Sequence, residues 1–346
     1  MPTAPALEFD AGTDAARSFV GLLYRHILQR QPDENELKLW SDHLVNGMTE
    51  RDAFDRFISS VEYRKRFTGF NPAHPPGHYY SPIVDPRELV GTRKPNRNIE
   101  PSEIPGIRLD VADMRRWWQA NAKTLRSTPY PQHAEPRWRY YADNKIYPIG
   151  DATVLRAMIV ESRPGRIIEI GSGFSTACML DTIDEHGLQT RIVCIEPYAD
   201  RLKSRLRPED KSRLTIIETP VQEVAVDTFK SLAPGDILFI DSTHVLKTGS
   251  DVNYELFNIL PAIAPGVVIH FHDMHYPFEY PDQWIYDRQY SWNEVYAVRA
   301  FLMYNSRFSV TFMNSLFHSR CQDLVMETLP RFNENPGGSL WIRKVG

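Results

Sequence analysis

Four of the eleven histidines, His244, His270, His272 and His275, fall within 32 residues, and Asp241 and Asp273 stand among them. Such a set can do two kinds of chemistry. An imidazole titrates near neutral pH and can take a proton from a hydroxyl; carboxylates and imidazole together can hold a divalent ion that lowers the hydroxyl's pKa. Asp241 ends the apolar run "DILFID" and His272-Asp273 end "GVVIHFHD", so both groups belong at the carboxyl ends of short buried strands. His270 shares a strand face with His272 one step deeper and reads as a packed core histidine, and His275 reads as a loop residue. A second motif lies upstream. "RIIEIGSGFST" runs a strand through Glu169 into Gly171-Ser172-Gly173 and straight into a helix-compatible stretch. Without a Cβ, glycine lets the backbone turn tightly and lie close to a ligand. The next strand, "RIVCIE", ends in Glu196, 25 residues after Gly171, where a carboxylate can accept hydrogen bonds from the vicinal hydroxyls of a ribose. Loop and acid together specify an adenosine-type ligand.

Elements that could hold these residues follow from the periodicity. From Ala152 onward, helix-like stretches alternate with "RIIEI", "RIVCIE", "RLTIIE", "DILFID" and "GVVIHFHD", followed by "FSVTFM" and "SLWIRK". This predicts an α/β, Rossmann-like sheet, mostly parallel with an antiparallel last strand and helices on both faces. Apolar residues at helical spacing between Asp14 and Phe67 predict three short helices, the third starting at Thr49 with Asp52 three residues on. Eight prolines in the 35 residues from Asn71 to Pro105 exclude a helix or central strand there. The expected organisation is a small all-α unit over 14–69, a proline-rich strap and helix over 70–135, and the α/β domain over 136–346. After the fifth strand, eight aromatics lie between Tyr276 and Tyr296; Tyr276 to Tyr290 reads as a lid over an acceptor, and the spacing from Trp292 on as an ordinary amphipathic helix.

The formal net charge of −4 provides no basic field, which argues against nucleic acid as a partner. No apolar run approaches a membrane span, so no membrane insertion is expected. The three cysteines form no CxxC pair, excluding a zinc knuckle and a disulfide framework, and a reducing cytoplasmic setting fits them. A dinucleotide fingerprint would want a small residue at its sixth position, where Thr176 follows bulky Phe174; the only Tyr-x-x-x-Lys noted, Tyr141 to Lys145, lies upstream of the loop. A nicotinamide-dependent oxidoreductase is therefore the rival reading, and a non-catalytic nucleoside-binding docking protein is another.

"EIGSGFST", "CIEP", "DILFIDSTH", "LPAIAPGVVIHFHD" and "GGSLWIRK" resemble the successive motifs of class I S-adenosylmethionine-dependent methyltransferases, over roughly Tyr147 to Val345. Within that class the chain most resembles bacterial small-molecule and sugar O-methyltransferases. The resemblance implies S-adenosylmethionine as cofactor, with Glu169, Gly171, Ser172 and Gly173 facing its methionine part, Glu196 its ribose and Gln222 its adenine region. It implies a small-molecule or glycan acceptor. Metal-dependent catechol and macrolide-sugar methyltransferases use carboxylates at the same two strand ends, so Asp241, His272 and Asp273 would hold a divalent metal ion, with His244 or His275 taking the proton. His272 stands where an Asp is common, and imidazole suits Zn, Mn or Fe better than Mg. "LYRHILQRQPDENELKLW" and "FISSVEYRKRF" resemble a small helical family of unknown function, similar to phycobilisome-linker units. That unit is expected to serve protein docking or homo-oligomer formation.

Overall fold

In a computed structural model the described residues are 14–68, 74–91, 93, 95 and 97–346. The chain divides into two compact units, Met1–Ile83 and Val84–Gly346. The join expected near residues 69–70 lies outside the described residues.

The smaller unit holds helices α1 (Asp14–Leu22), α2 (Glu34–Val45), α3 (Glu50–Ile58) and α4 (Val61–Thr68), with a short π-helical turn after α1. Reciprocal capping boxes start α2 (Asp33 with Glu36) and α3 (Thr49 with Asp52). The third expected helix is two. Ser59 turns its hydroxyl back to the Asp55 carbonyl at 2.6 Å, and the Ser60 hydroxyl accepts from the Tyr63 amide at 3.1 Å, which ends one helix and caps the next. Val20, Leu23, Tyr24, Leu44 and Phe57 form the core of this unit.

The larger unit is built on seven strands: β1 (Arg166–Ile170), β2 (Arg191–Ile195), β3 (Leu214–Ile217), β4 (Ile237–Ile240), β5 (Val268–Phe271), β6 (Phe308–Met313) and β7 (Leu340–Lys344). Their order across the sheet is β3-β2-β1-β4-β5-β7-β6. The first five run parallel, and β7 enters antiparallel between β5 and β6. β4 and β5 are buried along their whole length, as their unbroken apolar runs require of strands covered on both faces. Chain direction reverses its walk across the sheet between β1 and β4, so the crevice beyond their carboxyl ends is the place for a ligand.

From Val84 on, the proline-rich strap is part of this unit. Ile104, Ile107 and Leu109 are buried in the main core, with Leu89 and Ile99 packed against it. The aromatic segment before β1 is fastened by Arg139, which is buried and pairs with Asp181 at 2.9 Å, Asp184 at 2.7 Å and Asp210 at 2.6 Å. Asp181 and Asp184 belong to the helix Phe174–Glu185 that follows the Gly loop.

Candidate active site

Gly171 has φ 78°, and a Cβ there would lie 1.8 Å from the Asp241 carbonyl oxygen. The loop after β1 thus passes directly over the end of β4, and only glycine allows it. Glu196, just beyond β2, accepts from the Ser172 amide at 3.1 Å and the Tyr198 amide at 2.9 Å. The Gly loop, Glu196, Asp241, His272 and Asp273 line one cavity of about 230 Å³ together with Ile146, Tyr147, Phe174 and Arg201. Two hydroxyls on its wall, those of Tyr147 and Ser172, have buried oxygens without a hydrogen-bond partner. Orphaned polar atoms around a glycine-lined cleft fit a polar ligand such as a nucleoside.

Two expected cofactor contacts sit elsewhere. Glu169 is fully buried beneath the loop, where it accepts from the Ser175 hydroxyl at 2.6 Å and from the Thr176 hydroxyl. Burial pushes its carboxyl up to about 7, against the hydrogen bonds that favour ionisation. It supports the loop rather than lining the cleft. Gln222 is exposed and donates to the Gly249 carbonyl at 3.0 Å, away from the lining.

The histidines and aspartates at the ends of β4 and β5 do come together. His272 presents Nδ1 to Asp241 Oδ1 at 3.2 Å and Asp273 Oδ1 at 3.5 Å. His244 presents Nε2 to the same two carboxylates at 3.5 and 3.6 Å. Behind them stand two acids that sequence reasoning missed: Glu294 receives His244 Nδ1 at 2.8 Å, and Asp151 receives His272 Nε2 at 3.2 Å. Asp151 also accepts from the Ser339 amide at 2.9 Å, the Gly338 amide at 3.1 Å and the Asn314 side chain at 2.9 Å. An acid in the first turn of the largely buried helix Ile149–Ser162 was the sequence signal for it.

Burial opposes charge on His244, His272 and Asp241, and for these three the partners win, whereas burial raises the Glu294 carboxyl. His244 is pushed up to about 10, despite burial, by Asp241 and Glu294, and His272 is raised well above its ordinary value by Asp273, Asp241 and Asp151. Asp241, also against burial, is held far below the usual carboxylate range by the two imidazoles. His244 and Asp273 both hold positive φ, 61° and 57°, a strained backbone imposed at the site itself. His270 is a core residue, stacked on Phe239 at 3.8 Å and bonded to Ser339 at 2.9 Å. His275, like His270, lies outside the imidazole–carboxylate cluster. Burial pushes its pKa down, and its Nε2 has no partner.

A second, larger cavity of about 730 Å³ adjoins the first and shares Ile146, His272 and Asp273 with it. His275, Trp284, Arg288, Tyr290 and Trp292 face this space, so the expected lid segment forms its aromatic wall.

Sheet order, Gly loop and strand-end acid define a Rossmann-like class I methyltransferase domain. Residues 168–274 match the family described as Methyltransferase domain, so this part of the larger unit is a methyltransferase domain. Residues 8–67 match a domain of unknown function, DUF4214. An uncharacterized protein of Archaeoglobus fulgidus is 31% identical over 163 residues, 46% of this chain and 73% of that one. Similar solved structures include the O-methyltransferase TomG of Streptomyces achromogenes, involved in tomaymycin synthesis and in complex with SAM. It is 17% identical, with a TM-score of 0.41, covering 67% of this chain and 99% of that one. An O-methyltransferase from Bacillus cereus in complex with SAH is 16% identical, with a TM-score of 0.35, covering 76% and 97%. No helix among the described residues is long and apolar enough to cross a membrane.

Proposed function

We propose that the protein transfers the methyl group of S-adenosylmethionine to a hydroxyl of a small molecule, a sugar or glycan end in particular. The supporting observation is that His272 and Asp273 form a wall common to the two cavities, so a donor in the smaller and an acceptor in the larger would meet there. When bound, S-adenosylmethionine supplies a sulfonium methyl that an oxygen nucleophile takes in one displacement, leaving S-adenosylhomocysteine. Glu196 would accept the ribose hydroxyls while still bracing the Ser172 amide. The loop at Gly171 to Gly173 would carry the methionine part. Trp284, Tyr290 and Trp292 would offer flat faces to the apolar side of a sugar ring.

An acceptor hydroxyl reacts well only as it loses its proton. Asp241, His244, His272 and Asp273 would hold a divalent ion there, and that ion would lower the hydroxyl's pKa. As they stand, no three or more His, Cys, Asp or Glu among the described residues are arranged to hold a metal ion, and every imidazole nitrogen of the pair faces a carboxylate. An ion would have to replace the protons in those contacts. Two features favour that exchange: separations of 3.2 to 3.6 Å, near those between ligands sharing one ion, and a carboxylate behind each imidazole. His275, which lines the larger cavity and whose buried Nε2 lacks a partner, would receive the acceptor's proton.

The test is transfer of labelled methyl from S-adenosylmethionine to a panel of glycosides and phenols, with and without prior chelation, alongside metal analysis of the purified protein. Transfer to a glycoside that stops on chelation and returns with metal supports the full reading. Transfer that survives exhaustive chelation removes the ion, and labelling at nitrogen or carbon instead of oxygen removes the hydroxyl acceptor.

A further inference from the structure

The aromatic wall of the larger cavity has little structure of its own. Between Tyr276 and Trp292 it contains one short helix, Asp282–Tyr286, and two non-glycine residues at positive φ, Phe278 at 68° and Gln289 at 55°. Its fastening comes from far away in sequence. Arg93, on the strap, donates to Glu279 Oε2 at 2.7 Å and to Asp282 Oδ1 at 2.6 Å. Arg97 donates to the same Asp282 oxygen at 2.6 Å and to the Tyr280 carbonyl at 3.2 Å. The Tyr276 hydroxyl donates to the Ile99 carbonyl, and the Val84 amide to the Ser291 hydroxyl at 3.1 Å.

We propose that the strap sets the shape of the acceptor wall, with Arg93 and Arg97 as positioning residues that act through Asp282 and Glu279. The inference rests on reading the larger cavity as the acceptor's. Asp282 opens the helix that carries Trp284, and the Trp284 ring meets His275 edge-on at 5.0 Å between centroids. Glu279 also accepts from the Tyr296 hydroxyl at 3.1 Å, on the helix whose first residue, Glu294, backs His244. One pair of guanidiniums therefore governs both the aromatic wall and the helix behind the imidazole cluster. Arg93 is only 12% exposed, so water does not easily replace it. Removing its charge takes the arginine away from Glu279 and leaves Asp282 with Arg97 alone.

The donor cleft shares none of these contacts, which makes the proposal separable from donor binding. In the full chain with S-adenosylhomocysteine bound, Asp282→Asn and Arg93→Met should speed amide hydrogen exchange across residues 276–292 at least tenfold. Exchange in β1 and β4 and the affinity for S-adenosylhomocysteine, read by calorimetry, should stay within twofold. The charge-exchanged pair Arg93→Glu with Glu279→Arg should recover much of the protection that Arg93→Glu alone loses. Arg97→Gln, at a side chain 37% exposed, is the mild variant if the others fold poorly, with a smaller effect in the same peptides. Unchanged exchange in 276–292, or a loss shared equally by the sheet and by donor affinity, would overturn the proposal. A failure of the acceptor reading looks different, as absence of methyl transfer to hydroxyls by the unmodified protein.

Discussion

Gly171→Ala tests the geometry at the crossing of the Gly loop and β4. The new Cβ would sit 1.8 Å from the Asp241 carbonyl oxygen and 2.8 Å from its carbon. Ordinary contact needs well over 3 Å, so the loop or the strand end must move by more than an ångström. Overpacking of this kind costs about 1–3 kcal/mol. Holding alanine at the left-handed φ of 78° adds about 1–2 kcal/mol, for a total of roughly 2–5 kcal/mol. Because Asp241 and the loop both line the donor cleft, the displacement should also weaken S-adenosylhomocysteine by tenfold or more. Gly187→Ala is the control: its φ is 59° and nothing lies within 4 Å of the added carbon, so only the backbone term of about 1–2 kcal/mol applies. Urea unfolding and calorimetry on the three proteins decide the matter. If Gly171→Ala lost no more stability than Gly187→Ala and bound the donor product normally, the close approach of loop and strand would be wrong.

Glu196→Ala should weaken S-adenosylmethionine by about 1.5–3 kcal/mol, the worth of hydrogen bonds to a charged acceptor, as measured by calorimetry. Arg139→Met should destabilise the larger unit by about 3–5 kcal/mol in denaturant titration, since it leaves the buried Asp181 without a cation and Asp210 with only Arg213 at 3.3 Å. Glu169 gives a pH dependence. Its carboxyl rises from 4.5 to about 7 on folding, so its contribution to stability is fully present below pH 4.5 and is lost as pH rises through about 7. Glu169→Gln should remove roughly 3 kcal/mol of that decline, and unfolding curves at pH 5 and pH 8 that respond equally in both proteins would contradict the shift.

Much of the site was legible because its residues sit at strand ends, where an apolar run stops at a polar residue. Gly171, Ser172, Gly173, Glu196, Asp241, His272 and Asp273 were all found this way, and the structure gathers them around one cleft. What the sequence hid was what tertiary packing supplies. Asp151 reaches His272 from a helix 121 residues upstream, and Glu294 reaches His244 across 50 residues. No local spacing encodes either pair. Glu169 belongs to the motif, yet is buried beneath the loop, where the Ser175 and Thr176 hydroxyls of the following helix take up its carboxylate. The strap defeated composition in a different way. Proline confines regular structure there to the short helical turns Pro86–Leu89 and Pro101–Glu103, but does not prevent burial, and Ile104, Ile107 and Leu109 pack into the core from outside any helix or strand.

The central claim is that a donor in the cleft and an acceptor hydroxyl in the larger cavity meet at the wall of His272 and Asp273. Labelled methyl transfer by Asp273→Asn, measured beside its affinity for S-adenosylhomocysteine, tests this most directly. The account predicts transfer falling at least a hundredfold with affinity changed less than threefold, since Asp273 would act on the acceptor and not on the ribose or adenine. Transfer at the unmodified rate would contradict it, and so would a loss of affinity large enough to explain the loss of transfer.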